Sequence, residues 1–182
     1  MKNLTKFFAL VMVLFSTGLM AQSYKFGHIN MQELVALMPE RDSAMVKLEN
    51  FGKELEETIQ GMQQEFNAKY QTYNQKSATW TAAILEAKTK ELQEMRARLE
   101  QFNESAQQDF ANMQQQLLAP IIQKANETVE NLGKEGGFIY IFDLSAGNIM
   151  FKSAESVDVL PLAKKVLGIP ADKKLPQPQQ LN

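Results

Sequence analysis

The sequence predicts an α+β protein in which a long antiparallel helical hairpin projects like a tentacle from a small β-sheet body. Residues 40–132 carry apolar side chains at helical spacing, and strand-like stretches lie on either side, at residues 24–29 and 138–142. One continuous helix of this length would hold the two strands more than ~100 Å apart, at ~1.5 Å per residue. A hairpin returns the chain to its start, so we expect the two strands to pair.

The first residues have the order of a secretory signal peptide. Lys2 and Lys6 precede the apolar run 7–15, and small and polar residues then lead to Ala21. The apolar run is too short to span a bilayer comfortably, and no stop-transfer charges follow it. We therefore expect residues 1–21 to be a signal peptide cleaved after Ala21, with an uncleaved anchor as the alternative, and we expect the product in the periplasm.

Charge and cysteine content restrict the partners of the exported chain. The sequence contains no cysteine, so it forms no disulfide and offers no thiol for lipid attachment. Without Lys2 and Lys6, 17 basic residues stand against 21 acidic ones, a formal charge of −4. This balance argues against nucleic acid as a partner.

The body is predicted to comprise residues 22–39 and 133–168. After the first strand, Asn30 has the position of a helix N-cap, with Glu33 at the spacing of a capping box, and Pro39 redirects the chain into the arm. Gly133 is expected to end the arm as a C-cap.

Beyond the strand at 138–142, "LSAGN" is typical of a turn, and "IMFKS" at 149–153 is predicted to be a return strand. Asp158 is expected to cap a last helix at 159–167. Residues 169–182 are rich in Pro, Gln and charge, so a disordered tail is predicted there.

The arm is expected at residues 40–132, where the apolar residues recur in steps of three and four. This period of eleven residues in three turns keeps an apolar stripe nearly straight. The first stripe consists of Leu48, Phe51, Leu55, Ile59, Met62, Phe66, Tyr70 and Tyr73, and the second runs from Leu92 to Ile121. Ser77 or Thr79 is expected to cap a new helix between the stripes, which places the turn of the hairpin there.

Three residues are expected to weaken or bend the arm. Gly52 and Gly61 lie inside the first helix and cost ~1 kcal/mol each relative to Ala. Pro120 lacks the amide hydrogen of an internal helical bond, so a kink is predicted near the base of the second helix.

The stripe near the arm tip has two interpretations. Its spacing is that of a helix–helix seam, which is the simpler interpretation. A seam of only two helices is half covered, however, and Met and aromatic side chains open on one flank suit a loose grip on varied apolar segments. The candidate contact residues are Met62, Phe66, Tyr70, Tyr73 and Trp80.

The arm tip also carries a local excess of positive charge. Between residues 66 and 90, Glu86 is the single acidic residue. The basic residues of this stretch are Lys69, Lys76, Lys88 and Lys90. Most such charges form a solvated helix face, but the excess also predicts a weak contact with anionic lipid or an acidic client.

The strand at 138–142 is apolar on both faces. Strict alternation places Phe138, Tyr140 and Phe142 on one face and Ile139 and Ile141 on the other. A strand buried on both sides needs two covering layers, and a single chain of this size supplies one. These five residues are therefore the candidate interface between subunits.

No feature of the sequence indicates an enzyme. His28 is the single histidine and has no partner residues at metal-ligand or catalytic spacing, so it is interpreted as a packed or edge residue. "KEGGF" leads into a strand and opens no phosphate-binding helix. We expect no catalytic residue, no metal and no cofactor.

The order of a signal peptide, "GHINMQELVALMPE", a helical hairpin, "GGFIYIFD" and "VDVLPLAKKVLG" resembles the Skp/OmpH family over about residues 24–168. The resemblance implies a homotrimer with a central β-barrel and three projecting arms. It also implies a periplasmic chaperone that holds unfolded outer-membrane β-barrel proteins between the arms without ATP. The acidic charge departs from the strongly basic members of the family, so no lipid-binding residues are carried over. The alternative from the residues alone is an envelope coiled-coil adaptor for one folded partner.

Overall fold

The computed structural model describes residues 24–175. The predicted signal peptide at 1–21 and the last part of the predicted tail, residues 176–182, lie outside the described residues. In chain order the elements are strand β1 (Lys25–Ile29), helices α1 (Met31–Leu37), α2 (Pro39–Lys76) and α3 (Ala82–Glu135), strands β2 (Phe138–Asp143) and β3 (Val157–Asp158), and helix α4 (Leu160–Val166). This is the predicted α+β architecture of a small sheet and a long helical hairpin.

The sheet has three strands in the order β2-β1-β3, and both neighbours of β1 are parallel to it. Phe26 pairs with Tyr140 and His28 pairs with Phe142 across β1 and β2. The predicted pairing of the strands before and after the arm is therefore confirmed. Parallel strands need a long crossover, and the arm provides it.

A bulge in β2 changes which side chains share a face. Lys25 pairs with Phe138 but Phe26 pairs with Tyr140, so Ile139 has no opposite residue on β1. Phe138 and Ile141 consequently pack against the core. The expectation that Phe138 shares a face with Tyr140 and Phe142 was wrong, because an unopposed residue shifts the alternation by one position.

The prediction of a return strand at 149–153 was wrong. This stretch has no regular secondary structure. Both edges of β1 are occupied, by β2 and by the short β3 further along the chain. Met150 and Phe151 are almost fully exposed, so a single chain gives their side chains nothing to pack against.

The core lies where the sheet, α1, α4 and the base of the arm meet. Its buried residues include Ile29, Leu34, Leu37, Met38, Ala44, Ile121, Ala125, Val159, Ala163 and Ile169. Asn30 caps α1 as predicted, since its side-chain oxygen accepts a hydrogen bond from the Glu33 amide at 2.9 Å. The prediction that Asp158 caps a helix beginning at residue 159 was wrong, because α4 begins at Leu160 with Val159 at its N-cap; the Asp158 carboxylate still accepts a hydrogen bond from the Leu160 amide at 3.0 Å.

The arm consists of α2 and α3, joined by a 3₁₀ turn at Ser77–Thr79. Thr81 caps α3 by accepting a hydrogen bond from the Ile84 amide at 3.4 Å. The expectation of a cap at Ser77 or Thr79 was wrong, because the Thr79 hydroxyl instead donates to the Lys76 carbonyl at 2.8 Å and closes the end of α2. Pro120 lies inside α3, which continues through it.

The lower end of α3 also differs from the prediction. Gly133 remains helical, and the helix ends at Gly136. Gly137 then has φ +65°, a left-handed conformation that glycine adopts without steric cost. The chain therefore reverses three positions later than expected from Gly133.

The start of the predicted tail is packed. Ile169 is buried, and the buried Lys164 ammonium donates to the carbonyl oxygens of Ala171 and Lys173 at 2.6 and 2.8 Å. Lys173 in turn donates to Asp42 at the base of α2, at 2.9 Å. The prediction of disorder from residue 169 was therefore wrong for residues 169–173, because composition does not reveal hydrogen bonds to a buried lysine.

Candidate binding surfaces

The arm carries an apolar groove near its tip. Phe66 and Tyr70, one helical turn apart on α2, stack with ring centroids 6.0 Å apart and planes 9° from parallel. Together with Tyr73 they face Leu92 and Arg96 of α3 across a groove of about 230 Å³. Tyr70 is 49% exposed, whereas Phe66 and Tyr73 are half-buried.

The aromatic surface continues to the turn of the hairpin. Tyr73 meets Trp80 edge to face, with centroids 5.7 Å apart, and the Tyr73 hydroxyl is 2.9 Å from the Thr89 hydroxyl on α3. The structure thus brings Phe66, Tyr70, Tyr73 and Trp80 together. Met62, the fifth candidate contact residue, is half-buried one turn closer to the base than Phe66. The Tyr73 hydroxyl joins α2 to α3, as expected of a helix–helix seam, and client contact by these residues stays a prediction.

An ion cluster joins the two helices beside these aromatic rings. Glu91 of α3 accepts hydrogen bonds from Lys69 of α2 and, at 2.7 Å, from Lys88. The hydrogen bond from Lys69, followed by that from Lys88, lowers the pKa of Glu91 to about 2. Glu91 therefore neutralises much of the positive charge predicted for the tip.

The two remaining lysines at the tip, Lys90 and Lys76, differ in their ion pairing. Lys90 lies 3.9 Å from Glu94. Lys76, in the last turn of α2, forms no ion pair among residues 24–175. The sequence window of residues 66–90 missed Glu91 and Glu94 because they follow it immediately on α3.

The seam between α2 and α3 stays open towards the base. A groove of about 450 Å³ is lined by apolar residues that include Leu55, Ile59 and Phe110. A second groove of about 400 Å³ lies closer to the sheet, beside Ala44 and Leu117. Both grooves are open to solvent, as expected of a two-helix seam whose second flank has no covering layer.

Several apolar side chains of the arm lie outside the seam altogether. They are between 39% and 57% exposed, which distinguishes them from the half-buried stripe. These residues are Met45, Val46, Ile84 and Ile122. The periodicity of the stripe could not identify them, because they belong to neither stripe.

The base of the arm presents a third surface on the outer face of the sheet. Phe26 stacks on Tyr140 at 6.4 Å, and Tyr140 stacks on Phe142 at 5.8 Å. We call these three residues the aromatic row. They are 40%, 61% and 41% exposed, which leaves an unpartnered apolar strip.

The five candidate interface residues therefore separate into two groups. Ile139, Tyr140 and Phe142 are exposed, while Phe138 and Ile141 pack against the core. Sequence reasoning missed other exposed apolar residues at the base. These are Tyr24, Phe26, Met150 and Phe151. For Phe26, the sequence signal was strand alternation, which places Phe26 and His28 on one face of β1 and Gly27 on the other.

His28 is packed, as one of its two interpretations predicted. It is buried on the central strand of the sheet and contacts Lys152 and Ser156 through its two ring nitrogens. Among residues 24–175, no group of three or more His, Asp or Glu side chains is placed to hold a metal ion. No helix in this part of the chain is long and apolar enough to cross a membrane.

These features define a class of protein: a helical-arm protein whose surfaces are apolar grooves and an unpartnered sheet face. The family described as "Outer membrane protein (OmpH-like)" matches residues 25–167, and the chain belongs to this OmpH family. The sequence resemblance is thereby confirmed. Members of the family are periplasmic chaperones of outer-membrane proteins, not enzymes. No curated protein matches the sequence.

Proposed function

We propose that the mature chain is an ATP-independent periplasmic holdase, which binds unfolded outer-membrane β-barrel proteins between its arms and prevents their aggregation. The observation that carries this proposal is the open apolar seam, with grooves of about 230, 400 and 450 Å³ spaced along one arm. Several shallow, solvent-open sites in a row suit an extended chain with apolar residues at intervals. One folded partner would instead favour a single continuous docking face.

Each groove is expected to bind weakly, so affinity must come from many simultaneous contacts. A client segment that occupies one groove raises the effective concentration of the next segment at the neighbouring groove. Assembly of three chains would multiply the number of grooves around one client. The flexible Met and flat aromatic side chains of the arm tolerate many client sequences.

We further propose that the chain assembles as a homotrimer through the aromatic row and Ile139. Three stacked aromatic side chains left in water are an unusual apolar strip for a protein that acts alone. Covering them with a neighbouring sheet would supply the second layer that a single chain lacks. A closed arrangement of three sheets, a β-barrel, would also protect the free edge of β2.

A weak contact between the arm tips and anionic lipid forms a minor part of the proposal. It is supported by Lys76, which points to no described acidic partner, and by the long 3.9 Å separation of Lys90 from Glu94. The Glu91 cluster and the net charge of the chain oppose a strong contact. Lipid binding is therefore expected to vanish at physiological ionic strength.

The proposal is tested by diluting a urea-unfolded outer-membrane β-barrel protein into buffer with and without residues 22–182, in the absence of ATP. We expect light scattering from aggregates to fall as the chain reaches a threefold molar excess over the client. The folded form of the same β-barrel serves as the control and should not bind. Absence of protection, or binding of one folded partner alone, would support the adaptor alternative instead.

A further inference from the structure

His28 is the one histidine of the chain, and it is buried on a sheet face that is otherwise open. It lies two positions after Phe26 on β1, so both side chains point to the same face. Phe26 is 40% exposed, whereas His28 is 6% exposed. The difference arises because the connection from β2 to β3, residues 144–156, folds over the imidazole.

The two contacts of the ring indicate which of its nitrogens accepts and which donates a hydrogen bond. Lys152 Nζ lies 2.6 Å from Nε2, and Ser156 Oγ lies 2.9 Å from Nδ1. A lysine ammonium can only donate hydrogen bonds, so Nε2 must accept and carries no proton. A neutral ring then has its proton on Nδ1, which donates to the Ser156 hydroxyl. We call the three residues the His28 clasp.

The other charged groups beside the ring are already hydrogen-bonded elsewhere. Asp158, the register partner of His28 on β3, accepts from the Leu160 amide at 3.0 Å. Asp143, one position past the β2 partner of His28, accepts from the amides of Met31 and Ser145 at 3.1 and 2.9 Å. Neither carboxylate is hydrogen-bonded to the ring, so an imidazolium would gain no carboxylate hydrogen bond in this arrangement and would face the Lys152 ammonium.

The clasp holds a segment that carries the two most exposed large apolar side chains among residues 24–175. Met150 and Phe151 immediately precede Lys152, and they are 101% and 81% exposed. At its start the segment is held by the Leu144 amide, which donates to the Ile29 carbonyl at 2.8 Å. Its end is fixed by β3. Beyond Ser145, whose hydroxyl donates to Asp143 of β2, the clasp supplies the side-chain hydrogen bonds from this segment to the sheet.

We propose that the His28 clasp is a pH-dependent latch, in which protonation of His28 releases residues 148–153 from the sheet and frees Met150 and Phe151 to move, while the Nδ1–H group still donates to Ser156. Protonation removes the acceptor for Lys152 and puts a second positive charge against its ammonium. Histidine is the side chain whose charge changes between about pH 5 and pH 8. The inference does not depend on the chaperone function.

The tautomer gives a direct test that requires no variant. With ¹⁵N-labelled histidine, the single imidazole of the chain yields an unambiguous pair of nitrogen signals. At about pH 8, where histidine is ordinarily neutral, we expect the Nδ1–H form with an unprotonated Nε2. An Nε2–H ring at that pH would overturn the proposal, because it cannot accept from Lys152.

Release of the segment is measured with a nitroxide attached at Ser153→Cys, since the chain has no other cysteine. We expect the ratio of mobile to immobile signal to rise about tenfold between about pH 8 and about pH 5, the size expected from losing one hydrogen bond to a charged group. His28→Gln retains an acceptor for Lys152 but does not titrate, so its signal should stay constant.

Lys152→Met and Lys165→Met form a matched pair of controls. Lys152→Met removes the donor and the charge repulsion, so the spectrum should be more mobile at about pH 8 and change less on acidification. Lys165→Met, on α4 and outside the clasp, should behave as wild type. A wild-type spectrum that does not change with pH, or one that changes equally in His28→Gln, would overturn the latch.

Discussion

Phe26 of β1 and Tyr140 of β2 stack with their ring planes 8° from parallel, on a sheet face that is open to solvent. The two residues are register partners, so pairing of the strands brings the rings together. An aromatic side chain buries 150–250 Å² when it is fully covered, and this pair, 40% and 61% exposed, has about half of that gain still available. The aromatic row is therefore where we expect another copy of the chain to pack.

Tyr140→Asp is expected to reduce self-association while leaving the arm helical. The variant places a charge at the most exposed position of the aromatic row, where covering it would require desolvating a carboxylate. Multi-angle light scattering of residues 22–182 would give the mass, and circular dichroism would report helicity. Tyr140→Phe keeps the ring and should assemble as wild type. An unchanged mass for Tyr140→Asp would remove the row from the interface.

A second prediction concerns apolar residues that do not hold the arm together. Replacing four exposed side chains by Ser should weaken client binding on the order of tenfold, because many weak contacts act jointly. The four residues are Val46, Tyr70, Ile84 and Ile122. Helicity should be retained, since these side chains are outside the hairpin seam or at its open flank. The measurement is the concentration of chain that halves the aggregation of an unfolded β-barrel.

A matched variant controls for the number of substitutions in the arm. It replaces exposed glutamines of the same two helices by Ser, at Gln63, Gln71, Gln108 and Gln115. Protection should remain at the wild-type level, because these side chains contribute no apolar area. Equal loss of protection in both variants would show that helix propensity, not client contact, explains the effect.

The arm tip should open at acid pH as Glu91 is protonated. Its pKa is lowered in the folded chain from 4.5 to about 2 by the hydrogen bonds from Lys69 and Lys88. A carboxylate with a lowered folded pKa contributes stability that is present above its unfolded pKa and is lost as pH falls through the folded pKa. We therefore expect tip opening between about pH 4.5 and about pH 2.

Trp80 reports this transition because it is the single tryptophan of the chain and packs against Tyr73 near the cluster. Its emission maximum should shift to longer wavelength as the tip opens. In Glu91→Gln the acid-dependent part of the shift should be lost, since no group titrates at the cluster. Retention of the full transition in Glu91→Gln would assign it to other carboxylates.

Much of the fold could be predicted from local sequence patterns. The cap at Asn30 and the pairing of strands across the arm were predicted, because the cap depends on side chains close in sequence and the pairing on simple helix length. The bulge at Ile139 was not predicted. It is a relationship between two strands, and neither strand shows it alone.

The wrong predictions for the body, at the base of the arm, share a cause. The irregular course of residues 149–153 and the packing of Ile169 depend on which edges and cavities the rest of the chain leaves free. Of the candidate sites, the aromatic cluster at the tip was predicted as a group because its members lie within a few helical turns. The aromatic row joins residues from two segments that are distant in sequence, and sequence reasoning found only its β2 members.

Gly27→Ala is expected to destabilise the body by about 1–3 kcal/mol, the usual cost of overpacking a core. A Cβ at Gly27 would lie 2.9 Å from Val159 Cγ2 and 3.0 Å from Phe138 Cε1, both too close. Gly61→Ala should instead raise the free energy of unfolding by about 0.5–1 kcal/mol, because helix propensity improves and a Cβ meets no atom within 4 Å. Urea denaturation followed by circular dichroism measures both changes. An unchanged free energy of unfolding in Gly27→Ala would show that the neighbouring side chains shift to accommodate the added Cβ.

The crossover between β1 and β2 determines the order in which the chain can fold. Lys25 and Gly136, which are hydrogen-bonded, lie 111 positions apart. A chain that emerges from its N-terminus holds β1 without its β2 partner until nearly the whole arm has emerged. Helices form from local contacts within microseconds, so the arm can close first and carry the two strands together. During this interval the unpaired edge of β1 is exposed to pairing with other chains.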